Sequence, residues 1–248
     1  MLRLKYFNVV FALWVEFKLF TSFSNLRQAR VTTLSIILFV VALLCAPFSY
    51  GLNWDKLRQS FRTLTSNEQA FNEWNNLLSG LQDANLDSKL QKVNQFFNRK
   101  LSYTEDSELW GQSDYWATPL ESLSKGKGDC EDYVIAKYFS LRSLNIPDTQ
   151  LRLVYVKARI GGPNSSVTQA HMVLAFYPSG DAEPLILDNL ITDIRPASRR
   201  TDLSPIFSFN GLGIFAGSAS TATVGPGGTS RLSRWQDLLE RARKEGFE

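Results

Sequence analysis

A cysteine at position 130 stands in the stretch "KGKGDCEDY" (Lys125–Tyr133), with Asp129, Glu131 and Asp132 around it. The chain has one histidine, His171, and an aspartate follows at 188. A thiol, an imidazole and a carboxylate are the parts of an acyl-transfer site: a nucleophile, a general base and the group that orients the base. The order Cys130, His171, Asp188 is compatible with cysteine enzymes of this kind, but residue types and order alone do not bring the three together. The acids beside the thiol raise a question, because like charge opposes formation of a thiolate. One or two of them complement the positive end of a helix. Three so close to a nucleophile point further, to a hard cation such as Ca2+, which takes roughly six to eight oxygen ligands and would cancel their charge while stiffening the turn. Asp129, Glu131 and Asp132 are the candidate ligands, although their spacing is not that of an EF-hand loop.

Positioning these groups requires a helix start and a hairpin. Asp129 reads as the N-cap of a helix over Cys130–Ser143, with Asp132 three positions on in a capping-box-like arrangement, and Asn145 and Pro147 end it. Unpaired N–H groups at that helix start favour an anion at Cys130. "AHMVLAFY" (170–177) and "PLILDNL" (184–190) are β-rich runs joined through "PSGD". A hairpin centred on that turn pairs 173 with 186 and 171 with 188, which sets His171 directly opposite Asp188 with Cβ atoms about 4.5–5.5 Å apart. A slip of one residue would put the two on opposite faces.

Around this centre the periodicity changes from helical to extended. From Asn53 to Leu101 apolar residues recur every three or four positions, as in Phe71, Trp74, Leu77, Leu78 and Leu81, then Leu90, Val93, Phe96, Phe97 and Leu101. "QLRLVYVKARI" (150–160) alternates as a strand does, and "GGPNSSVTQ" (161–169) reads as a mobile loop. Helices first and strands later predict an α+β domain with an antiparallel sheet over 51–215. Trp116 and Asn189 lie close to the motifs, as a wall and an assisting amide or, more simply, as structural residues. Residues 216–230 are rich in Gly, Ser and Thr and read as flexible. Within 231–248, Leu232, Trp235, Leu238, Leu239 and Ala242 predict a final helix that docks on its own domain.

The 248 residues, 44% of them apolar, suffice for one substantial core. The net charge of +3 comes from the first fifty residues; the remainder carries 22 basic and 23 acidic side chains, which gives no reason to expect a nucleic-acid partner. Val31–Cys45 is an uncharged run of fifteen behind Arg27 and Arg30, shorter than the roughly 20 residues of a membrane span. Residues 1–50 therefore read as an export leader, with an uncleaved anchor as the alternative. Cys45 follows a large Leu44, against lipid attachment. With the leader removed, Cys130 is left as a single unpaired thiol, which cannot staple the fold.

"DYWATPLESLSKGKGDCEDYVIAKYFSLRSLNI", followed by "LRLVYVKAR", "AHMVLAFYP", "LILDNL" and "SFNGLGIF", resembles the bacterial transglutaminase-like cysteine proteinases of the LapG type. The match runs from about Trp54 to Phe215 and is densest at "GDCEDY", "AHMVL" and "LDN". The resemblance implies a papain-like, transglutaminase-type fold with Cys130, His171 and Asp188 as the catalytic triad. It also implies calcium dependence through Asp129, Glu131 and Asp132. Further implied are a periplasmic location, a large surface adhesin (LapA-like) cut at a di-alanine site in its N-terminal region so that biofilm disperses, and an inner-membrane cyclic-di-GMP receptor (LapD-like) that sequesters the protease. Two alternatives to proteolysis remain at this point: acyl transfer from the same thioester to an amine, and a non-catalytic calcium-binding interaction module.

Overall fold

The computed structural model describes residues 52–180, 182–217 and 232–247. The expected leader over 1–50 lies outside them, as does all of the 216–230 segment except Ala216 and Gly217. Among the described residues no helix is long and apolar enough to cross a membrane.

Three amphipathic helices come first, α1 (Trp54–Leu64), α2 (Gln69–Leu81) and α3 (Leu86–Lys100). Asn53 and Asn85 cap α1 and α3, each side-chain oxygen accepting a backbone N–H three residues on, from Lys56 at 3.1 Å and from Ser88 at 2.8 Å. Their apolar stripes deliver Leu57, Phe61, Phe71, Trp74, Leu90, Val93 and Phe97 to the core. A two-residue strand β1 (Ser102–Tyr103), a single turn α4 (Asp106–Leu109), helix α5 (Pro119–Lys125) and a second short strand β2 (Lys127–Gly128) follow. Helix α5 carries a full capping box: Thr118 and Glu121 each accept the other's backbone N–H, and Pro119 occupies the first turn. Gly126 ends α5 with φ +63°, a left-handed cap that glycine adopts without a Cβ penalty. β1 and β2 pair in parallel, Tyr103 beside Gly128, and this ties the segment leading to Asp106 to the one leading to Asp129.

Helix α6 (Cys130–Ser143) has the expected boundaries. It packs against α3 and α5 on one side and against the sheet on the other, and it is apolar or buried around nearly its whole circumference. Several of its polar side chains are answered from inside: Ser140 Oγ accepts the Trp74 indole N–H at 2.9 Å, and the Tyr133 hydroxyl donates to the Leu101 carbonyl at 2.6 Å. Asn145, at φ +65°, turns the chain out of the helix.

Six strands form one antiparallel sheet in the order β6-β5-β4-β3-β7-β8: β3 (Leu151–Arg159), β4 (Thr168–Phe176), β5 (Leu185–Leu187), β6 (Arg195–Pro196), β7 (Leu203–Phe209) and β8 (Ile214–Ala216). The molecule is thus α+β, with helices on one face of an antiparallel sheet. Two details differ from expectation. β7 and β8 carry no clear alternation, and Pro205 disguises the first of them; the register skips Ile206 at a bulge opposite Tyr155 and Val156, which lets the strand hold a proline. The β4–β5 hairpin pairs Leu174 with Leu187 and Ala175 with Ile186, a register two residues away from one centred on "PSGD". The connection is longer than a tight turn, running from Tyr177 to Pro184. His171 and Asp188 are consequently diagonal rather than directly opposed, and because the shift is even they keep the same face.

Helix α7 (Ser233–Glu245) docks on the domain, burying Trp235, Leu238 and Ala242, and the chain then places Phe247 against Trp74 and Phe139. Trp235 meets Tyr138, Phe139 and Phe209 at ring distances of 5.3–6.4 Å. Polar ties fix the rotation of the helix. Arg241 bonds Glu121 and the Trp116 carbonyl, both at 2.6 Å, and Glu245 Oε1 accepts the Thr118 hydroxyl at 2.8 Å.

Burial pushes the Glu245 carboxyl up to about 8, with Glu121's charge adding to the rise and the Thr118 hydroxyl and Arg241 opposing it. A raised native pKa means that stability from this group is complete below about 4.5 and is lost as pH rises through about 8. Glu245→Gln stays neutral and keeps an acceptor for Thr118. Its melting temperature is expected to match the parent near pH 4 and to exceed it by a few degrees at pH 9; equal melting temperatures at both pH values would show the carboxyl to be solvated.

Candidate active site

Cys130 is the first residue of α6 and is 9% exposed. Its Sγ donates to Glu131 Oε2 at 2.7 Å and lies against the backbone N–H of Met172, the residue after His171. Helix α6 packs directly on β4, so the sulfur reaches the strand at the histidine. Burial pushes the thiol pKa far above its ordinary value, and the charge and hydrogen bond of Glu131 and the charge of Asp129 push the same way, with only the Met172 N–H opposing. The conflict posed by the sequence is therefore present in three dimensions.

His171 and Asp188, both buried, are joined through Nε2 and Oδ1 at 2.8 Å. Burial alone would raise the Asp188 pKa, but the bond and charge of His171, the Arg200 guanidinium and the Leu190 N–H together hold it down at about 2. An ionised carboxylate only accepts, so Nε2 carries the proton of the neutral ring and Nδ1 is left as the basic nitrogen. Asp188 has every acceptor engaged: Oδ1 also takes the Leu190 N–H at 3.1 Å, Oδ2 takes Arg200 Nη2 at 2.7 Å, and its backbone carbonyl takes Asn98 Nδ2 at 2.7 Å. Beneath lies Lys137, wholly buried on α6, its Nζ 5.8 Å from the Tyr133 ring centre and without a hydrogen-bond partner among the described residues. Burial pulls its pKa down to about 7, against the pull of Asp188. Arg200, Asn98 and Lys137 carried no motif in the sequence; burial makes Arg200 and Lys137 visible, and the bond to the Asp188 carbonyl makes Asn98 so.

The acids divide differently from the sequence expectation. Asp106, Asp129 and Asp132, all buried, bring carboxylate oxygens within 4.8 Å of one another, whereas the Glu131 carboxylate is turned to the Cys130 sulfur. Asp106 lies 23 positions before Asp129 and is brought in by the β1–β2 pairing, a long-range contact that no local spacing could reveal. Asp129 occupies the N-cap position, but its side chain makes no capping bond, and Asp132 accepts the Ala117 N–H at 2.8 Å, so the expected capping box does not use these side chains as a reciprocal pair. Asp106 Oδ1, Asp129 Oδ1 and Asp132 Oδ2 are each buried without a partner among the described residues. Three enclosed, unanswered carboxylate oxygens in one cluster are what a hard cation would satisfy. Without it, burial and mutual repulsion drive the Asp129 pKa up to about 9 and that of Asp132 well above its ordinary value. Gly128 is required by space: a Cβ there would lie 2.7 Å from Asp132 Cβ and Oδ2.

A cleft of about 280 Å3 opens over these groups, bounded by Cys130, Glu131, Asp106 and Asp129 and by Gln169 and Ala170 of β4. A larger hollow of about 470 Å3 lies against Val154, Ala175 and Ile186 and has no part in this chemistry. Trp116 is a core residue, stacked on Phe209 at 5.6 Å. Asn189 follows Asp188, its Oδ1 enclosed and without a partner among the described residues.

Comparison with known proteins identifies the family. Residues 66–203 match the family model described as bacterial transglutaminase-like cysteine proteinase BTLCP. Among solved structures, Legionella pneumophila LapG is 36% identical, with a TM-score of 0.61 over 75% of this chain and 96% of that one. Its calcium-bound form, also 36% identical, gives 0.63 over 76% and 98%, and its EGTA-treated form gives 0.63 over 75% and 96%. No curated protein matches. The fold, the extent of the family match and the likeness to LapG over most of both chains lead to one assignment: this chain belongs to the bacterial transglutaminase-like cysteine proteinases.

Proposed function

We propose that this protein is a calcium-dependent periplasmic cysteine endopeptidase that cuts the N-terminal region of a large surface adhesin at a di-alanine site, releasing it and dispersing biofilm, under the control of an inner-membrane cyclic-di-GMP receptor. The observation that carries the catalytic part is the buried His171–Asp188 bond at 2.8 Å, formed on the strand whose next N–H meets the Cys130 sulfur. Family membership and likeness to a LapG that has a calcium-bound form support the rest.

In this reading the Cys130 proton passes to His171 Nδ1 and the sulfur attacks the peptide carbonyl carbon. The C–N bond breaks as the imidazolium returns the proton to the departing amine, leaving a thioester. His171 then takes a proton from water, and the resulting hydroxide displaces the sulfur. Asp188 holds Nε2–H throughout and faces the ring's positive charge when it forms. The N–H of Cys130, free because it opens α6, is the candidate donor to the oxyanion, a role worth about 3 kcal/mol in well-aimed sites. Asp106, Asp129 and Asp132 would hold calcium, with Glu131 adding charge beside them. When bound, the ion cancels the negative field that opposes the thiolate and stiffens the turn below the sulfur.

Cys130→Ala is expected to abolish cleavage of an adhesin N-terminal fragment, with fragment masses of the parent reaction mapping to a bond between two alanines, while the melting temperature changes little. Retained cleavage in that variant refutes the mechanism, and incorporation of a labelled amine in place of hydrolysis would move the protein to the acyltransferases.

Calcium at about 100 times its dissociation constant should stabilise the protein by about 2.7 kcal/mol. Asp106→Asn should weaken that stabilisation as Asp129→Asn does, measured by thermal melting with and without chelator. An unchanged calcium response in Asp106→Asn removes Asp106 from the site.

A further inference from the structure

Arg200 belongs to no motif, yet it is 2% exposed and sits behind Asp188. Its Nη2 donates to Asp188 Oδ2 at 2.7 Å and to Asp202 Oδ2 at 2.8 Å, while Nε donates to Asp202 Oδ1 at 3.0 Å. The guanidinium plane is thus set by a carboxylate that is itself partly exposed, at 30%. The backbone is equally tied: the Arg200 N–H bonds Ala197, its carbonyl accepts Leu203 N–H at the start of β7, and the Asp202 carbonyl accepts Arg159 N–H from β3. The fork is therefore anchored to the sheet, on the side of Asp188 opposite the imidazole.

We infer that Arg200 is a positioning residue for the reaction: by occupying Asp188 Oδ2 it leaves Oδ1 as the oxygen that faces His171 Nε2, and so fixes the ring that must present Nδ1 to the thiol. The inference rests on the reading of Cys130, His171 and Asp188 as the reacting set. A carboxylate free on one side would turn about its Cα–Cβ and Cβ–Cγ bonds and take the ring with it. A lysine supplies charge without the planar fork and cannot bond Asp188 and Asp202 with the same fixed geometry. The other titratable groups that face Asp188 are Lys137, His171 and Asp202, and none of them donates to Oδ2. Asp202 acts one step further back, holding the arginine.

Because the chain has a single histidine, ring-15N labelling of the full-length protein gives one imidazole and one Nε2–H proton signal to follow. In Arg200→Met this hydrogen-bonded proton is expected to shift upfield and broaden by solvent exchange. In a cleavage assay kcat should fall by about 10- to 100-fold with KM within about twofold, the pattern of lost alignment rather than lost binding. Arg200→Lys should recover part of both losses, and Asp202→Asn should show both in weaker form. A parental proton signal together with kcat within about twofold in Arg200→Met overturns the inference and leaves the arginine a stabilising ion pair only. Should that variant fail to fold, the same result in Asp202→Asn, a half-exposed site, overturns it. The proton signal is read whether or not any peptide is cut, so a parent that cleaves nothing refutes the protease reading while leaving this one decided.

Discussion

A helix buried on nearly every side is the constraint from which this structure follows. Helix α6 lies between the other helices and the sheet, and almost all of its residues are withdrawn from water. A surface helix can leave its first N–H groups and its polar side chains to solvent; this one cannot. Its polar atoms can be answered only from within, and the answers that exist organise the domain: Trp74 for Ser140, Leu101 for Tyr133, Ala117 for Asp132 Oδ1, and the strand bearing His171 for the sulfur at its head, while Lys137 Nζ and Asp132 Oδ2 go without among the described residues. The site occurs where the helix start, the β1–β2 pair and β4 converge, because that is where the unanswered groups are.

The electrostatics there are unbalanced on one side and balanced on the other. Around Asp188, negative charge is matched by Arg200 and faced by His171 and Lys137, and the carboxylate stays ionised although it is fully buried. Asp106, Asp129 and Asp132 share a small enclosed space, and burial together with their mutual repulsion favours protonation instead. The sulfur stands on the unbalanced side. A cation held by these acids would lower the negative potential at the sulfur, which is the link between the two halves of the site in the function proposed above.

Much of this was legible in the residues, and what was not has physical causes. The boundaries of α6 follow from Asp129, Asn145 and Pro147, which are local signals. The shared face of His171 and Asp188 follows from alternation, which survives an even shift in register, although the hairpin is two residues out from the one "PSGD" suggests. Asp106 was invisible because a parallel pairing of two-residue strands, too short to leave a pattern, brings it to Asp129. Arg200 was invisible because a basic residue in a loop reads as solvated until its burial is known. The reading of Asp129 and Asp132 as a capping pair failed for the reason that makes them interesting: the Asp129 side chain makes no capping bond, and Asp129 Oδ1 and Asp132 Oδ2 remain unspent among the described residues.

The docking of α7 has a consequence for the core. Trp235, Leu238 and Phe247 fill the gap between Trp74, Phe139 and Phe209, and Gly246 bonds Asn53 at the opposite end of the described domain. Burial of this aromatic core therefore depends on residues 232–247 being in place: in a chain folded only as far as residue 217, the faces of Trp74, Phe139 and Phe209 that α7 and Phe247 cover would lie open to water.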